Sequence, residues 1–148
     1  MKKLSIFFIV AILGLISCDP LDVEPLDKIP AEDAIKDEKG LKAAISGVYD
    51  ILQSDGIAMD GFVFAELTAD NLIHIGTKKE YRQFSENSIV TENAYVEGMW
   101  NSCYDGINRV NNILNEIDAV TGVDNSQLEF YKGECYFLRA FLYHTLVK

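Results

Sequence analysis

Two stretches in the second half of the chain carry apolar residues at the spacing of an α-helix. In the first, intervals of three and four residues separate Val96, Trp100, Cys103, Ile107, Val110, Leu114 and Ile117. The second repeats the pattern with Leu128, Tyr131, Cys135, Leu138, Leu142 and Thr145. These intervals place each set on one side of a helix. The sequence therefore predicts a hairpin of two long helices, joined by a turn at residues 121–124 in which Gly122 suits a helix end.

The first half of the chain shows the helical period less regularly. Apolar residues from Ala34 to Leu52 predict a helix that starts at Pro30, with a possible break near Lys39-Gly40. Residues 62–73 form a weaker helical segment, whose expected buried positions are Phe62, Ala65, Leu67, Ala69 and Leu72. Residues 74–93 show no sustained period and are expected to form a long connection, with one short β-like run at residues 88–91. The predicted fold class is all-α, built from helix hairpins that pack on each other.

The first seventeen residues have the composition of a signal peptide. Lys2 and Lys3 are followed by a run of thirteen apolar or small residues from Leu4 to Ile16, which is too short to span a membrane because a spanning helix needs about 20 apolar residues. Residues 15–18, Leu-Ile-Ser-Cys, resemble a bacterial lipobox, in which the thiol of Cys18 receives a lipid. An ordinary signal peptide with an incidental cysteine is the alternative.

These features divide the chain into three parts. Residues 1–17 are the predicted lipoprotein signal peptide, residues 18–29 a lipidated acidic tether held extended by its prolines, and residues 30–148 a helical domain. The apolar pattern of the last helix continues to residue 148 without a stop signal. We therefore expect the sequence to be the amino-terminal fragment of a larger helical protein.

Charge and cysteine content exclude several classes of protein. With 13 basic and 23 acidic residues, the chain has a formal net charge of −10, whereas nucleic-acid binders need a basic face. In the predicted hairpin, Cys103 and Cys135 are offset by about 7.5 Å along the helix axis, too far for a disulfide when the lateral gap is added, so two unpaired core cysteines are expected. No Cys and His residues have metal-ligand spacing, and we expect neither a metal nor a cofactor.

Several motifs resemble those of the SusD/RagB family of outer-membrane nutrient-uptake lipoproteins. Residues 100–117 follow the pattern W-x3-Y-x2-I-x3-N-x2-L-x2-I, and residues 133–143 read GECYFLRAFLY, close to the family's G-E-A-x-F-L-R-A-x-x-Y helix. Cys135 stands where alanine is usual. The lipobox, the tether, and the segments at residues 44–49 and 66–71 occur in the family's order.

This resemblance implies a fold of tetratricopeptide-like helix pairs and a role in nutrient uptake. Such a protein is anchored in the outer membrane through its lipid and faces the cell exterior. There it captures an oligosaccharide or another nutrient and passes it, uncleaved, to a SusC-like TonB-dependent transporter. In the family, the loop near residues 74–93 helps to line the ligand site. Side chains suited to sugar hydroxyls and sugar faces are then supplied by Asp70, Asn71, Tyr81 and Arg82.

Other candidate chemistry is expected to be structural. Trp100 and Tyr104 could stack on a sugar, but they lie on the apolar stripe and are predicted to pack in the core. Glu134 and Arg139 are five positions apart on a helix, do not face each other well, and are expected to bond between helices. Asn108, Asn111 and Asn112 are likewise expected to make structural contacts.

No sequence feature selects a catalytic pair of carboxylates or a nucleophile, and we do not expect an enzyme. A second hypothesis is a scaffold lipoprotein that uses the same helices to organise other outer-membrane proteins and binds no small ligand. The sequence does not identify the nutrient, so starch, another glycan and a peptide all remain open.

Overall fold

The computed structural model describes residues 31–147, which contain six α-helices and no strand. The helices are α1 Ala31–Ala34, α2 Glu38–Leu52, α3 Asp60–Thr68, α4 Lys79–Ser85, α5 Ala94–Glu116 and α6 Asn125–Leu146. A π-helical turn at Asp55–Met59 leads into α3, and a 3₁₀ turn at Ile117–Ala119 follows α5. The predicted all-α class is confirmed. The predicted signal peptide, Cys18 and the tether up to residue 29 lie outside the described residues.

Helices α5 and α6 form the predicted antiparallel hairpin. Leu142 of α6 lies directly against Gly106 of α5, and a Cβ atom on this glycine would come within 2.7 Å of the leucine Cδ1 and 3.2 Å of the Cγ2 of Ile51. Three helices, α2, α5 and α6, therefore approach one another at Gly106. A larger side chain there would push them apart.

The main core lies between α2, α5 and α6. Its fully buried side chains come from the apolar side of each helix and include Leu41, Val48, Val110, Ile113, Ile117, Cys135 and Leu138. A hydrogen bond from the Tyr49 hydroxyl to Glu134 Oε1, at 2.7 Å, joins α2 to α6 at the edge of this core. Most positions of the two stripes predicted in the second half of the chain thus pack in the interior.

The break predicted near Gly40 lies instead at residues 35–37, between α1 and α2. Asp37 caps α2, where its carboxylate accepts a hydrogen bond from the Gly40 N–H at 2.8 Å. A Cβ atom on Gly40 would collide with the carbonyl oxygen of Ala34. Gly40 is therefore the residue that lets α1 fold back on the first turn of α2, although it does not itself interrupt the helix.

The turn between α5 and α6 is held against the start of α2. Both the backbone N–H and the hydroxyl of Thr121 donate to the Lys36 carbonyl oxygen, at 3.1 and 3.2 Å. Gly122 has a φ of +79°, a conformation that favours glycine. It lies in the connection rather than directly after α5, because the 3₁₀ turn comes first.

Helix α3 is shorter than the predicted segment at residues 62–73, and its buried side differs from the expected one. Phe64 and Leu67 are buried, whereas Phe62 is 65% exposed and Leu72 45% exposed. Ala65 and Ala69 are also exposed. The helix carries apolar residues on both sides, so periodicity alone could not select the side that packs inward.

Helix α4 occupies part of the region expected to be a long connection. It is seven residues long, which is too short to be stable in isolation. Phe84 and Tyr81 hold it against Phe64 of α3. Tertiary packing therefore creates this helix, and no sequence period indicates it. The β-like run at residues 88–91 forms no strand.

We predict that Leu138→Ala lowers the free energy of unfolding by about 2–5 kcal/mol, because it opens a cavity in the main core. The matched control is Phe137→Ala, one position away and 66% exposed. We expect this control to change the free energy of unfolding by less than about 0.5 kcal/mol. Urea unfolding of the purified protein measures both. Equal losses for the two variants would contradict the assigned burial.

Candidate functional site

Four aromatic rings from α3, α4 and the start of α5 form an aromatic cluster. Phe64 stacks on Phe84 with ring centroids 3.8 Å apart, and it meets Tyr81 and Tyr95 edge-on at 5.6 and 5.4 Å. Tyr81 and Tyr95 contact each other at 4.9 Å. Such contacts are stabilising beyond the area they bury. The aromatic cluster fixes α4 to α3 and to the first turn of α5.

Lys78 lies over this cluster. Its ammonium donates to the Tyr95 hydroxyl at 2.9 Å and lies 5.2 Å from the Tyr81 ring centroid. The hydrogen bond with Tyr95 raises the pKa of Lys78. Burial is the main reason that the pKa of Tyr81 is raised. The Lys78 ammonium thus lies over two phenol rings, at 5.2 Å from the Tyr81 centroid and 5.6 Å from the Tyr95 centroid.

Two of the sequence-predicted ligand residues, Asp70 and Asn71, lie in the turn after α3 and are exposed. Asp70 has a φ of +58°, in the left-handed region that aspartate tolerates. The side-chain amide of Asn71 donates to the Glu66 carboxylate at 2.9 Å, and its backbone N–H donates to the Glu66 carbonyl at 3.1 Å. Asn71 thus contributes to the end of α3, whereas the Asp70 carboxylate faces solvent.

The other two, Tyr81 and Arg82, lie on α4. Tyr81 is half-buried in the aromatic cluster and faces His74, whose ring centroid is 5.4 Å away. Arg82 is exposed and lines a shallow depression of about 260 Å³. Consecutive helix positions point about 100° apart. The structure therefore brings Tyr81 together with His74, and it directs Arg82 to a different side of the helix.

Asn93 is a structural residue that the sequence analysis missed. It is 1% exposed, and its side-chain oxygen caps α5 by accepting from the Tyr95 and Val96 N–H groups at 3.0 and 3.4 Å. Its side-chain nitrogen donates to Gln83 Oε1 at 2.7 Å and to the Glu80 carbonyl at 3.2 Å. Asn93 thus joins α4 to the start of α5. An asparagine directly before an apolar helical pattern is the signal that could have identified it.

Trp100 and Tyr104 form an exposed aromatic pair on α5, and the prediction that they pack in the core is wrong. Their ring centroids are 4.8 Å apart with the planes tilted by 43°, and the side chains are 54% and 42% exposed. The buried side of α5 is centred on Gly106, Val110 and Ile113. At 100° per residue, Trp100 lies about a quarter turn from the centre of that side and Tyr104 further still. Both residues therefore border the core and face outward.

This aromatic pair has the chemistry of a carbohydrate platform. The flat face of an indole or phenol ring covers the apolar C–H side of a sugar. One turn after Tyr104, the exposed side chain of Asn108 offers an amide that can both donate to and accept from a hydroxyl. One turn before Trp100, Val96 packs against the aromatic cluster. The platform is thus carried on a helix whose start is rigidly held.

Three of the polar side chains expected to be structural, Glu134, Arg139 and Asn111, bond between helices, whereas the exposed Asn108 and Asn112 make no side-chain hydrogen bond within residues 31–147. Arg139 donates to the side-chain oxygen of Asn111 at 2.8 Å and stacks over the Tyr136 ring at 5.3 Å. Glu134 accepts from Tyr49 of α2. Glu134 and Arg139 therefore bond to different helices and not to each other.

The two cysteines in the described part of the chain are free and buried, as predicted. Burial raises the pKa of the Cys103 thiol, and it raises that of Cys135 to about 11. Thiols with raised pKa values are poor nucleophiles at neutral pH. Within residues 31–147, no three His, Cys, Asp or Glu side chains come together as ligands for a metal ion. None of the described helices combines the length and apolar character needed to cross a bilayer.

Comparison with known proteins gives two matches of different kinds. A SusD-like family model, described as "Starch-binding associating with outer membrane", matches residues 19–148. SusD-like protein P2 of Formosa agariphila is 26% identical over 151 residues, an alignment that covers all of this chain and 30% of that protein. The chain thus spans less than a third of the length of this curated relative. No solved structure matches the chain.

We predict that Asn93→Ala lowers the free energy of unfolding by about 2–3 kcal/mol. The substitution removes a helix cap and leaves the buried side-chain oxygen of Gln83 without its hydrogen-bond donor. The matched control is Asp124→Ala, which removes the exposed cap of α6 and should cost about 1 kcal/mol. Hydrogen exchange should show faster amide exchange in α4 for the Asn93 variant alone. Unchanged protection of α4 would show that Asn93 does not hold this helix.

Proposed function

The chain belongs to the SusD-like family, and from this membership we propose that it is part of a cell-surface lipoprotein that captures an oligosaccharide. In this proposal, the protein passes its ligand without cleavage to a TonB-dependent outer-membrane transporter. The family's description as starch-binding and associated with the outer membrane supports both the class of ligand and the location.

The observation that carries the proposal is the exposure of Trp100 and Tyr104. Two large aromatic side chains, 54% and 42% exposed, lie side by side on a helix whose other large apolar residues are buried or half-buried. Burying these rings under a ligand is favourable by about 25 cal/mol per Å² of apolar surface covered. A sugar supplies apolar C–H faces together with hydroxyls, which suits an aromatic pair with the amide of Asn108 one turn away.

The proposed role needs no catalytic group. A capture protein has to bind its ligand and release it intact, so stacking and single hydrogen bonds are sufficient. Glu134 and Arg139, which could be taken for an acid and its partner, are engaged between helices. Both core thiols are buried. Asp70, Asn71, Tyr81 and Arg82 remain predicted ligand residues, and we propose that the exposed carboxylate of Asp70 accepts from a sugar hydroxyl.

A protein partner is supported by exposed apolar side chains on the π-helical turn, on α3 and on the segment after α3. Met59 and Phe62 are 58% and 65% exposed, and Ile73 and Ile75 are 81% and 96% exposed. Exposed apolar groups that form one continuous patch mark an interaction surface, and these four side chains lie within seventeen residues of the chain. We propose that the transporter covers them. The scaffold hypothesis would use the same surface for another membrane protein, and it differs in requiring no sugar.

We predict that Trp100→Ala weakens binding of a malto-oligosaccharide by at least tenfold, because a stacking contact is lost. Trp100→Phe should retain most of the affinity. Isothermal titration calorimetry on the complete protein measures both variants. The matched control is Phe130→Ala, an aromatic of 64% exposure near the start of α6, at the opposite end of the hairpin, which should bind as the parent does.

Two outcomes would count against capture at this platform. If the Trp100 and Phe130 variants lose equal affinity, the aromatic pair is not the binding surface. If the complete protein binds no glycan but still copurifies with its membrane partner, the scaffold hypothesis is the correct one.

We propose that Cys18 carries the lipid anchor, and we predict that Cys18→Ser abolishes it, because a hydroxyl cannot replace the thiol nucleophile in lipid transfer. Metabolic labelling with a radioactive fatty acid should mark the parent protein and not the variant. The variant should also be lost from the outer-membrane fraction of the native host. Labelling that persists in Cys18→Ser would exclude this residue as the site of acylation.

A further inference from the structure

The depression that Arg82 lines is a second feature with the properties of a ligand site. Its walls come from α4 and the turn that follows, and its volume is about 260 Å³. The lining side chains are Lys79, Arg82, Gln83, Glu86 and Ser88. The aromatic pair of the proposed platform lies elsewhere, on α5.

Two cations and one carboxylate border the depression. Lys79 and Arg82 are three positions apart on α4 and therefore lie on one side of the helix. Neither forms an ion pair with a carboxylate of residues 31–147, whereas Lys42, Arg109 and Lys132 do. Hydrogen bonding by Thr91 is the main cause that lowers the pKa of Glu92, and the charge of Lys79 lowers it further. Two such neighbouring cations attract an anionic ligand locally. The chain as a whole has a formal net charge of −10.

The neutral groups of the depression are held in position from below. Gln83 is buried, and its side-chain oxygen accepts from Asn93 at 2.7 Å. Its NH₂ group is therefore the part left to donate to a ligand. The Ser88 N–H donates to the Gln83 backbone carbonyl at 2.8 Å, which fixes the backbone of Ser88 at the edge of the depression. Ordered donors lose little entropy when they bind.

On the basis of the function proposed above, we propose that this depression binds the acidic group of an anionic saccharide. Lys79 and Arg82 hold a carboxylate or sulfate, and the guanidinium can make two parallel hydrogen bonds to it. Gln83 and Ser88 donate to hydroxyls of the same sugar. Glu86 accepts from a further hydroxyl.

Glu86 is the reason for a saccharide rather than a small free anion. A phosphate or sulfate ion alone would meet the carboxylate of Glu86 as a repulsive charge. A sugar ring places its acidic group at one end and hydroxyls at the other. It can therefore meet the two cations and the carboxylate together, and each group finds its complement.

The test compares three oligosaccharides of equal length on the complete protein by calorimetry. These are an oligogalacturonide with carboxylates, a carrageenan oligosaccharide with sulfates, and a neutral malto-oligosaccharide. The variant is Lys79→Gln/Arg82→Gln. Its matched control is Lys39→Gln/Lys42→Gln, which makes the same charge change at the same spacing on α2.

We expect at least one acidic oligosaccharide to bind more tightly than the neutral one. The Lys79→Gln/Arg82→Gln variant should weaken this binding at least tenfold, because charge-assisted hydrogen bonds are lost, and it should weaken binding of the neutral sugar by a clearly smaller factor. The control should bind all three as the parent does. Whichever of the two acidic oligosaccharides binds more tightly shows whether the site recognises a carboxylate or a sulfate.

Two results would overturn the proposal. In the first, the acidic oligosaccharides bind no more tightly than the neutral one. In the second, the Lys39→Gln/Lys42→Gln control loses as much affinity for the acidic oligosaccharides as the Lys79→Gln/Arg82→Gln variant does. Either result, with neutral binding still dependent on Trp100, removes the anionic subsite and leaves the capture function standing. If none of the three sugars binds, the capture function itself falls.

Discussion

The close approach of three helices at Gly106 is the constraint on which the rest of the structure depends. Because this position has no side chain, Leu142 of α6 and Ile51 of α2 can both reach the α5 backbone. That contact sets the spacing of the hairpin and of α2 against it. The long helix α5 packs against both α2 and α6. Its first turn contacts the aromatic cluster through Tyr95 and Val96.

The sequence predicted well those elements whose helical period coincides with burial. The hairpin of α5 and α6 has Val110 and Leu138 inside, as the stripes indicated. It predicted poorly those elements that depend on contacts distant in sequence. Helix α4 exists because Phe84 stacks on Phe64, twenty residues earlier, and no local pattern encodes such a contact. Helix α3 is apolar on both sides, so its outward-facing Phe62 could not be distinguished from a core residue.

The candidate site shows the same division. The family resemblance directed attention to residues 70–82, where Arg82 is exposed, whereas periodicity wrongly assigned Trp100 to the core. A stripe drawn through every third or fourth residue is wider than the face that a single neighbouring helix covers. Residues at its border are apolar but outward-facing. At such borders an aromatic side chain can serve a ligand without weakening the core.

Trp100 is the only tryptophan in the chain, and it lies at the surface next to a tyrosine. Its fluorescence therefore reports on solvent and on whatever covers α5, rather than on the packing of the interior. The molecule carries an intrinsic optical probe at the proposed binding platform. The same placement makes its emission a poor measure of global unfolding, because the indole is already hydrated in the folded state.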